Sequence, residues 1–230
     1  MKDFDKIYDL FERACDEADE GITDESGLKK FRDVLDRIGE PRNKKADKEN
    51  ILYAYCSVHL GNALFSLALF ESENGNENAM THYREAEDRF RSGLNAFSLM
   101  EQTDDRDYLY ADACQMFAGF AAQVCADDSG YDPDDIGEDD AEKYYLDSIR
   151  LYEGLLNGKD YDTREELVDV YYNAAGYRYE KGMSDKARPL FERSRALAEE
   201  LENDEPGSYS EFIDSLAQYL GDDIKTRAGE

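Results

Sequence analysis

The sequence predicts an all-α fold built from about nine antiparallel helices. Apolar residues recur at steps of three and four along most of the 230-residue chain, which is the period of an amphipathic helix. The alternation of apolar and polar residues that marks a half-buried strand is absent, and β-branched residues are few. Short stretches rich in glycine, asparagine and aspartate separate the periodic segments. Helices joined by such short connections are expected to pack as antiparallel pairs.

The first five helices are predicted in the N-terminal half of the chain. Gly21 and Gly39 end the first two, and Thr103 or Asp104 caps the fifth. The third helix is apolar on most of its sides, which predicts a central and buried position. A loop over 39–48 precedes it and carries the one basic cluster of the sequence. These five helices are predicted over residues 2–20, 28–38, 48–72, 78–100 and 104–125.

Four further helices follow in the C-terminal half. Thr163 and Glu166 have the spacing of a capping box, which predicts the start of the seventh helix. Ser184 is predicted to cap the eighth helix, and Ser208 is predicted to open the ninth, which ends at Gly221. These helices are predicted over residues 139–157, 163–181, 184–203 and 208–221.

We expect one domain over residues 1–221. An acidic loop over 126–140 interrupts it, and residues 222–230 form a frayed tail. The chain is long enough to bury a core, and its 17 tyrosines and 11 phenylalanines supply the apolar area for one. The organisation expected is therefore a single helical domain.

The net charge limits the classes of partner. The chain has 27 basic and 55 acidic side chains, which gives a formal charge of −28 at pH 7. Phosphates and anionic lipids attract lysine and arginine clusters, so we expect no direct contact with nucleic acid or membrane. The charge suits a protein or peptide partner with a basic segment, or adaptation to a salty cytoplasm with no partner behind it.

Cysteine use and the N-terminus predict a cytoplasmic protein. The N-terminal residues have no apolar signal-peptide core, and no unbroken apolar run is long enough to span a bilayer. The four cysteines form no CxxC pair, which favours buried free thiols in a reducing compartment.

Residues 168–197 carry a pattern that resembles the tetratricopeptide repeat (TPR). An aromatic residue lies early in the first helix, small residues lie at the crossing, and a glycine turn precedes an alanine and an aromatic residue. The pattern departs from the family at Arg178, where TPR repeats usually have tyrosine, and at Ser194, where they usually have alanine. A weaker match covers helices three and four. The residues that carry the main match are Tyr171, Ala174, Ala175, Gly182, Ala187 and Phe191.

The resemblance implies an α-solenoid of four helix pairs and a C-terminal capping helix. It also implies a concave groove lined by the third, fifth and seventh helices. A second interpretation is that Tyr172 and Tyr179 pack on the ninth helix instead of lining the groove. The groove residues expected are Asp169, Tyr172, Asn173 and Tyr179 on the seventh helix, with His59 and Asn62 on the third.

Nine antiparallel helices and an acidic composition also resemble the 14-3-3 family. That family binds phosphopeptides through basic residues of its third helix and an arginine–tyrosine pair of its fifth. Here the third helix has no lysine or arginine between Asn50 and Phe70, and the fifth has only Arg106, at its start. The resemblance is therefore one of architecture without the phosphate site.

The acidic loop has three interpretations. It is a solvated loop, a docking segment for a basic partner, or a cation site, since hard cations bind several carboxylate oxygens. The EF-hand pattern fails because Ile136 and Lys143 stand where ligands are required. The loop aspartates singled out are Asp127, Asp128, Asp132, Asp134 and Asp135.

No motif predicts an enzyme, a cofactor or a metal site. His59 and His82 are the only histidines, and neither stands in a metal-binding spacing. Cys56 and His59 are one helical turn apart, but no acid in the sequence is placed to orient them as a catalytic pair. Phosphate-binding glycine loops and nucleophile elbows are also absent.

The function expected is that of a non-enzymatic module that binds a protein or peptide in a helical groove. The alternative is an acidic decoy that occupies the basic, nucleic-acid-binding surface of a partner protein, since the charge of −28 suits such a target. A third hypothesis, a sensor of small molecules or peptides that feeds an oligomeric regulator, would need further domains.

Overall fold

The computed structural model describes residues 4–41, 43–126, 131–133, 136–137, 139–158 and 161–221, and over these residues the chain is all-α. They form nine helices and no strand, which confirms the predicted fold class. The helices are α1 Phe4–Asp19, α2 Lys29–Ile38, α3 Lys48–Glu73, α4 Ala79–Leu99, α5 Asp104–Ala126, α6 Asp140–Gly158, α7 Arg164–Glu180, α8 Ser184–Asp204 and α9 Ser210–Leu220.

The helix ends show which predicted caps form. Thr103 accepts a hydrogen bond from the amide of Arg106 at 3.2 Å, so the predicted cap of α5 is confirmed. After α7 the chain turns at Gly182, whose φ of 74° lies in the left-handed region that glycine adopts without strain. Ser184 is the first residue of α8, which begins without a side-chain cap.

Two other predicted side-chain caps do not form, at the starts of α7 and α9. The Thr163 side chain makes no capping bond at α7, because its hydroxyl is buried and donates to the Tyr152 carbonyl at 2.8 Å. At the other site α9 begins two residues after Ser208. There the Glu202 carboxylate, at the end of α8, accepts the amides of Gly207 and Tyr209, each at 2.7 Å. The Thr163 hydroxyl thus bonds a carbonyl 11 residues away, and at α9 a carboxylate of the preceding helix takes the amides that a local cap would serve.

The contacts divide the chain into two compact units. The first comprises residues 1–144 and the second residues 145–230, so the boundary falls inside α6. The single domain over 1–221 stays a prediction, and the predicted tail lies outside the described residues.

The first unit is built around α3, which contacts α1, α2, α4 and α5. Helices α3 and α4 pack very closely at Gly93. A Cβ added there would lie 2.6 Å from both the Ala54 carbonyl oxygen and a Val58 methyl group. Phenylalanines fill the space around this crossing, and Phe90, Phe97 and Phe120 are almost completely buried.

Helix α3 is, among the described residues, the one helix long and apolar enough to cross a membrane by length and composition. Within its most apolar window, 61% of the residues are buried inside the protein. That burial is what the sequence predicts for a central core helix.

In the second unit α8 packs against both α7 and α9. Val168, Ala198 and Leu201 are buried together, and Phe212 and Ile213 of α9 pack against them. The α9 contacts therefore cover apolar surface that the α7–α8 pair leaves open.

Candidate functional site

The predicted groove residues of the second unit lie along one stripe of α7. Asp169, Asn173 and Tyr179 are exposed, and Tyr179 keeps 48% of its surface accessible. Gly176 lies between the last two, and a Cβ added there would meet no atom within 4 Å. The stripe therefore offers a carboxylate, an amide and an aromatic ring on either side of a stretch of open helix backbone.

Tyr172 is half-buried and differs from the other three in its surroundings. Its ring lies 5.8 Å from that of Phe191, 5.4 Å from that of Phe212 and 6.2 Å from that of Tyr219. A hydrogen bond with Tyr219 raises the pKa of the Tyr172 hydroxyl. The ring of Tyr179 also contacts Tyr219, at 5.5 Å. Both tyrosines therefore touch α9, as the second interpretation predicts, and only Tyr179 retains a large accessible area.

The carboxyl group of Asp169 holds its proton more tightly than an ordinary aspartate. Loss of surrounding water and the charges of Glu166 and Glu165 raise its pKa. A cation bound beside these three carboxylates would relieve their mutual repulsion, so this end of the stripe favours a basic group.

The two predicted groove residues of the first unit have different environments. Asn62 is exposed on α3, whereas His59 lies in a cluster of aromatic rings. The imidazole is 4.4 Å from the ring of Tyr55 and 5.4 Å from that of Phe11. Burial lowers the His59 pKa to about 4, so the ring is neutral at pH 7.

The cysteine beside His59 is Cys15 of α1, which sequence spacing did not indicate. Its sulfur lies 3.6 Å from His59 Nδ1, while Cys56 points away and donates to the Phe31 carbonyl. Burial, with nearby carboxylates such as Asp19, raises the Cys15 pKa to about 12. At neutral pH the pair is therefore a thiol beside a neutral imidazole, without a thiolate to act as a nucleophile.

A tyrosine–aspartate contact extends this cluster to α5. Tyr55 donates its hydroxyl hydrogen to Asp112 Oδ2 at 2.6 Å. Cys15, His59, Tyr55 and Asp112 thus join α1, α3 and α5 along one side of the first unit. Neither Cys15 nor Asp112 was predicted, because their partners lie 44 and 57 residues away in the sequence.

His82 lies in a second polar cluster that the sequence did not reveal. It is 4% exposed, and its two ring nitrogens bond to Glu71 at 2.6 Å and to Glu25 at 2.7 Å. Glu25 also pairs with Arg32, which reaches Glu85 on α4. The His82 pKa is raised, because the bonds to Glu25 and Glu71 outweigh the burial that opposes the charge. The cluster therefore places the imidazole between two carboxylates, which favour its protonated form.

The acidic loop is described only in part. Asp132 is exposed, and Asp127, Asp128, Asp134 and Asp135 lie outside the described residues. Two apolar residues of the loop are buried: Ile136, and Tyr131, which donates its hydroxyl hydrogen to Glu87 at 2.6 Å. The described part of the chain contains no group of three or more histidine, cysteine, aspartate or glutamate residues placed to hold a metal ion.

Comparison with known proteins adds no assignment: no model of a protein family matches the chain, and no curated protein matches it.

Proposed function

We propose that the chain is a non-enzymatic module that binds a protein or peptide through TPR-like helix pairs. The observation that carries this proposal is the exposed stripe of α7, where Asp169, Asn173 and Tyr179 share one side of a helix held by α8. A rigid support lowers the entropy lost when an exposed aromatic side chain makes a contact.

The packing of α7 and α8 supports the TPR-like assignment. Ala175 and Ala187 are no more than 1% exposed, as small residues at a helix crossing should be. Phe191 is buried to the same degree between its neighbours, and Gly182 forms the turn. The burial of these alanines and of Phe191 therefore supports a TPR-like pairing of the two helices.

The chemistry of the stripe favours a basic, extended peptide. An asparagine side chain can donate to and accept from a peptide backbone, and a tyrosine ring offers an apolar face beside a polar hydroxyl. The carboxylates around Asp169 favour a lysine or arginine at that end. In the first unit, exposed Asn62 offers an amide of the same kind, and His59 would support the aromatic cluster there.

The test is a peptide-display selection on the full chain, followed by affinity measurements on the selected peptides. We expect Asn173→Ala and Tyr179→Ala each to weaken binding by about 1 to 2 kcal/mol, the range of an interface contact of moderate weight. Asn173 is exposed and Tyr179 loses one ring contact, with Tyr219, so thermal unfolding should change little. Tyr8→Ala is the matched control, because Tyr8 is also exposed, at 43%, but lies on α1. Equal losses for Tyr8→Ala and Tyr179→Ala, or no loss at all, would overturn the assignment.

The net charge favours one alternative, an acidic decoy that covers a basic surface of a partner. In that case affinity depends on the total charge of −28 and not on the α7 stripe. Binding to a basic partner domain should fall steeply between low and high salt, with little change in Asn173→Ala. Retention of the partner at high salt would argue against the decoy.

A further inference from the structure

A pocket of about 370 Å³ lies in the first unit, away from the α7 stripe. Side chains of α4, α5 and the first turn of α6 line it. Its volume is within the range of small-molecule sites, which is roughly 300 to 1,000 Å³. The pocket and the peptide-binding proposal are independent, since all of its residues precede residue 145.

Aromatic rings with fixed positions form part of the pocket wall. Tyr110 is stacked on the buried ring of Phe97, with ring centres 5.6 Å apart, and the Arg106 guanidinium lies 4.7 Å from its centre. Phe117 contacts Tyr144 edge to face at 4.7 Å. Rings held in this way present a flat apolar surface without further ordering when a ligand binds.

Arg91 gives the pocket an oriented cation. Its Nε and Nη2 both donate to Glu87 Oε1, at 3.0 and 2.9 Å. Glu87 is 5% exposed, and its other oxygen accepts the Tyr131 hydroxyl. These bonds fix the plane of the guanidinium, and they leave Nη1 as the nitrogen that is not engaged with Glu87.

A second cation, Lys143, also lines the pocket. It is exposed, and its ammonium lies 4.7 Å from the centre of the Tyr144 ring. The one carboxylate of the lining, Asp140, accepts the Gly137 amide at 2.9 Å. Asn95 and Ser98 of α4 add neutral hydrogen-bonding groups. Two cations and two tyrosine rings thus line one pocket of a chain whose net charge is −28.

We infer that this pocket binds a small aromatic anion, whose carboxylate or phosphate group lies between Arg91 and Lys143 while its ring packs against Tyr110 or Tyr144. A charge-assisted bond to an oriented guanidinium is stronger than a neutral hydrogen bond, so the anionic group supplies most of the selectivity. Both headgroups share this chemistry.

The test titrates the full chain with phenyl phosphate, benzoate and phenol, and follows ligand and tyrosine signals by NMR. We expect phenyl phosphate or benzoate to bind about tenfold more tightly than phenol, because only the anions reach both cations. The tighter of the two anions identifies the headgroup. Equal binding of phenol and both anions would overturn the inference, and so would the absence of binding at the highest soluble ligand concentration.

The key variant is Lys143→Gln, because an exposed lysine can be changed without loss of folding. We expect it to weaken binding of the anion about threefold to tenfold and to leave phenol unaffected. Lys186→Gln makes the same charge change at an exposed position of α8. It is the control and should change the affinity for neither the anion nor phenol. Arg91→Gln should weaken anion binding further. Thermal unfolding shows whether this variant keeps its fold after losing the bonds between Arg91 and Glu87. Loss of anion binding in Lys186→Gln, or full binding in Lys143→Gln, would contradict the site.

Discussion

The two histidines of this chain lie in opposite electrostatic environments within the same unit. His59 of α3 is surrounded by aromatic rings, and burial holds its pKa at about 4. His82 of α4 lies between two carboxylates, and its pKa is raised. Both are largely withdrawn from water. The difference shows that the partners of a buried imidazole, and not its burial alone, decide the direction in which its pKa shifts.

The comparison also separates two roles. His59 is neutral at pH 7 and packs as an aromatic residue, so its place on α3 supports the neighbouring side chains. His82, at the start of α4, joins the segment before α2, through Glu25, to the end of α3, through Glu71. The groups that face it are Glu25, Glu71 and, one step further, Arg32 and Glu85.

The largest expected effect is that of His82→Leu, which leaves the buried Glu71 carboxylate without its cation. Removing one partner of a buried ion pair costs about 3 kcal/mol or more of unfolding free energy. Urea unfolding at pH 6 measures it. The double variant His82→Leu with Glu71→Leu should recover most of the loss, since the buried carboxylate that lost its partner is then also removed. A stable His82→Leu chain would mean that Glu71 finds another partner.

The next effect is acid destabilisation through His59. Its folded pKa of about 4 lies below the unfolded value of 6.5, so the folded state favours the neutral ring. The contribution of His59 to the unfolding free energy is fully present above pH 6.5 and is lost as the pH falls from 6.5 to 4. The loss is about 3 kcal/mol by pH 4. Unfolding experiments on wild type and His59→Phe isolate it from the carboxylates, because the variant has no imidazole there to titrate. Parallel pH profiles of the two proteins would contradict the assignment.

A smaller effect with the opposite sign is expected from His82. Its folded pKa is raised, so its contribution is fully present below the unfolded value of about 6.5 and is lost as the pH rises through the folded value. The neutral ring can still donate one hydrogen bond, and therefore part of the interaction survives. Between pH 6 and 9 the melting temperature of the wild type should fall by more than that of His82→Leu. The difference isolates His82, because the other titrating groups are the same in both proteins.

The smallest effect is expected at the exposed end of the His82 cluster. The side chain of Glu25 is 57% exposed and that of Glu71 is 10% exposed. Glu25→Gln should therefore cost only about 0.5 kcal/mol, and Glu71→Gln should cost more, because screening by water weakens an exposed pair. Equal losses in urea unfolding would show that exposure does not separate the two carboxylates.

Periodicity was sufficient to predict the helices but not their partners. Helix existence follows from local spacing and from turn residues such as Gly182, and the observed helices confirm it. The proximity of Cys15 to His59 depends on which face of α1 meets α3. Two helices that each follow a 3.6-residue period can pack in many registers, so no local pattern identifies that pair.

The same limit explains the capping errors and the tyrosines of α7. Thr163 has the right spacing for a capping box, but the carbonyl of Tyr152 competes for its hydroxyl. Tyr172 and Tyr179 have equal propensities and different exposures, because Tyr172 lies against three rings of α8 and α9. The sequence predicts that both tyrosines lie on the same helix. Only tertiary packing shows that Tyr172 is covered by other rings and that Tyr179 stays accessible.

The close approach of α3 and α4 at Gly93 has a consequence for the order of folding. The two helices are neighbours in the sequence, joined by the short turn 74–78, so their contacts close a small loop and cost little chain entropy. We expect this hairpin to be formed in the folding transition state. Gly93→Ala should then slow refolding more than it accelerates unfolding in stopped-flow experiments. Gly93, which permits the two backbones to approach closely, would therefore also influence the folding rate of the first unit.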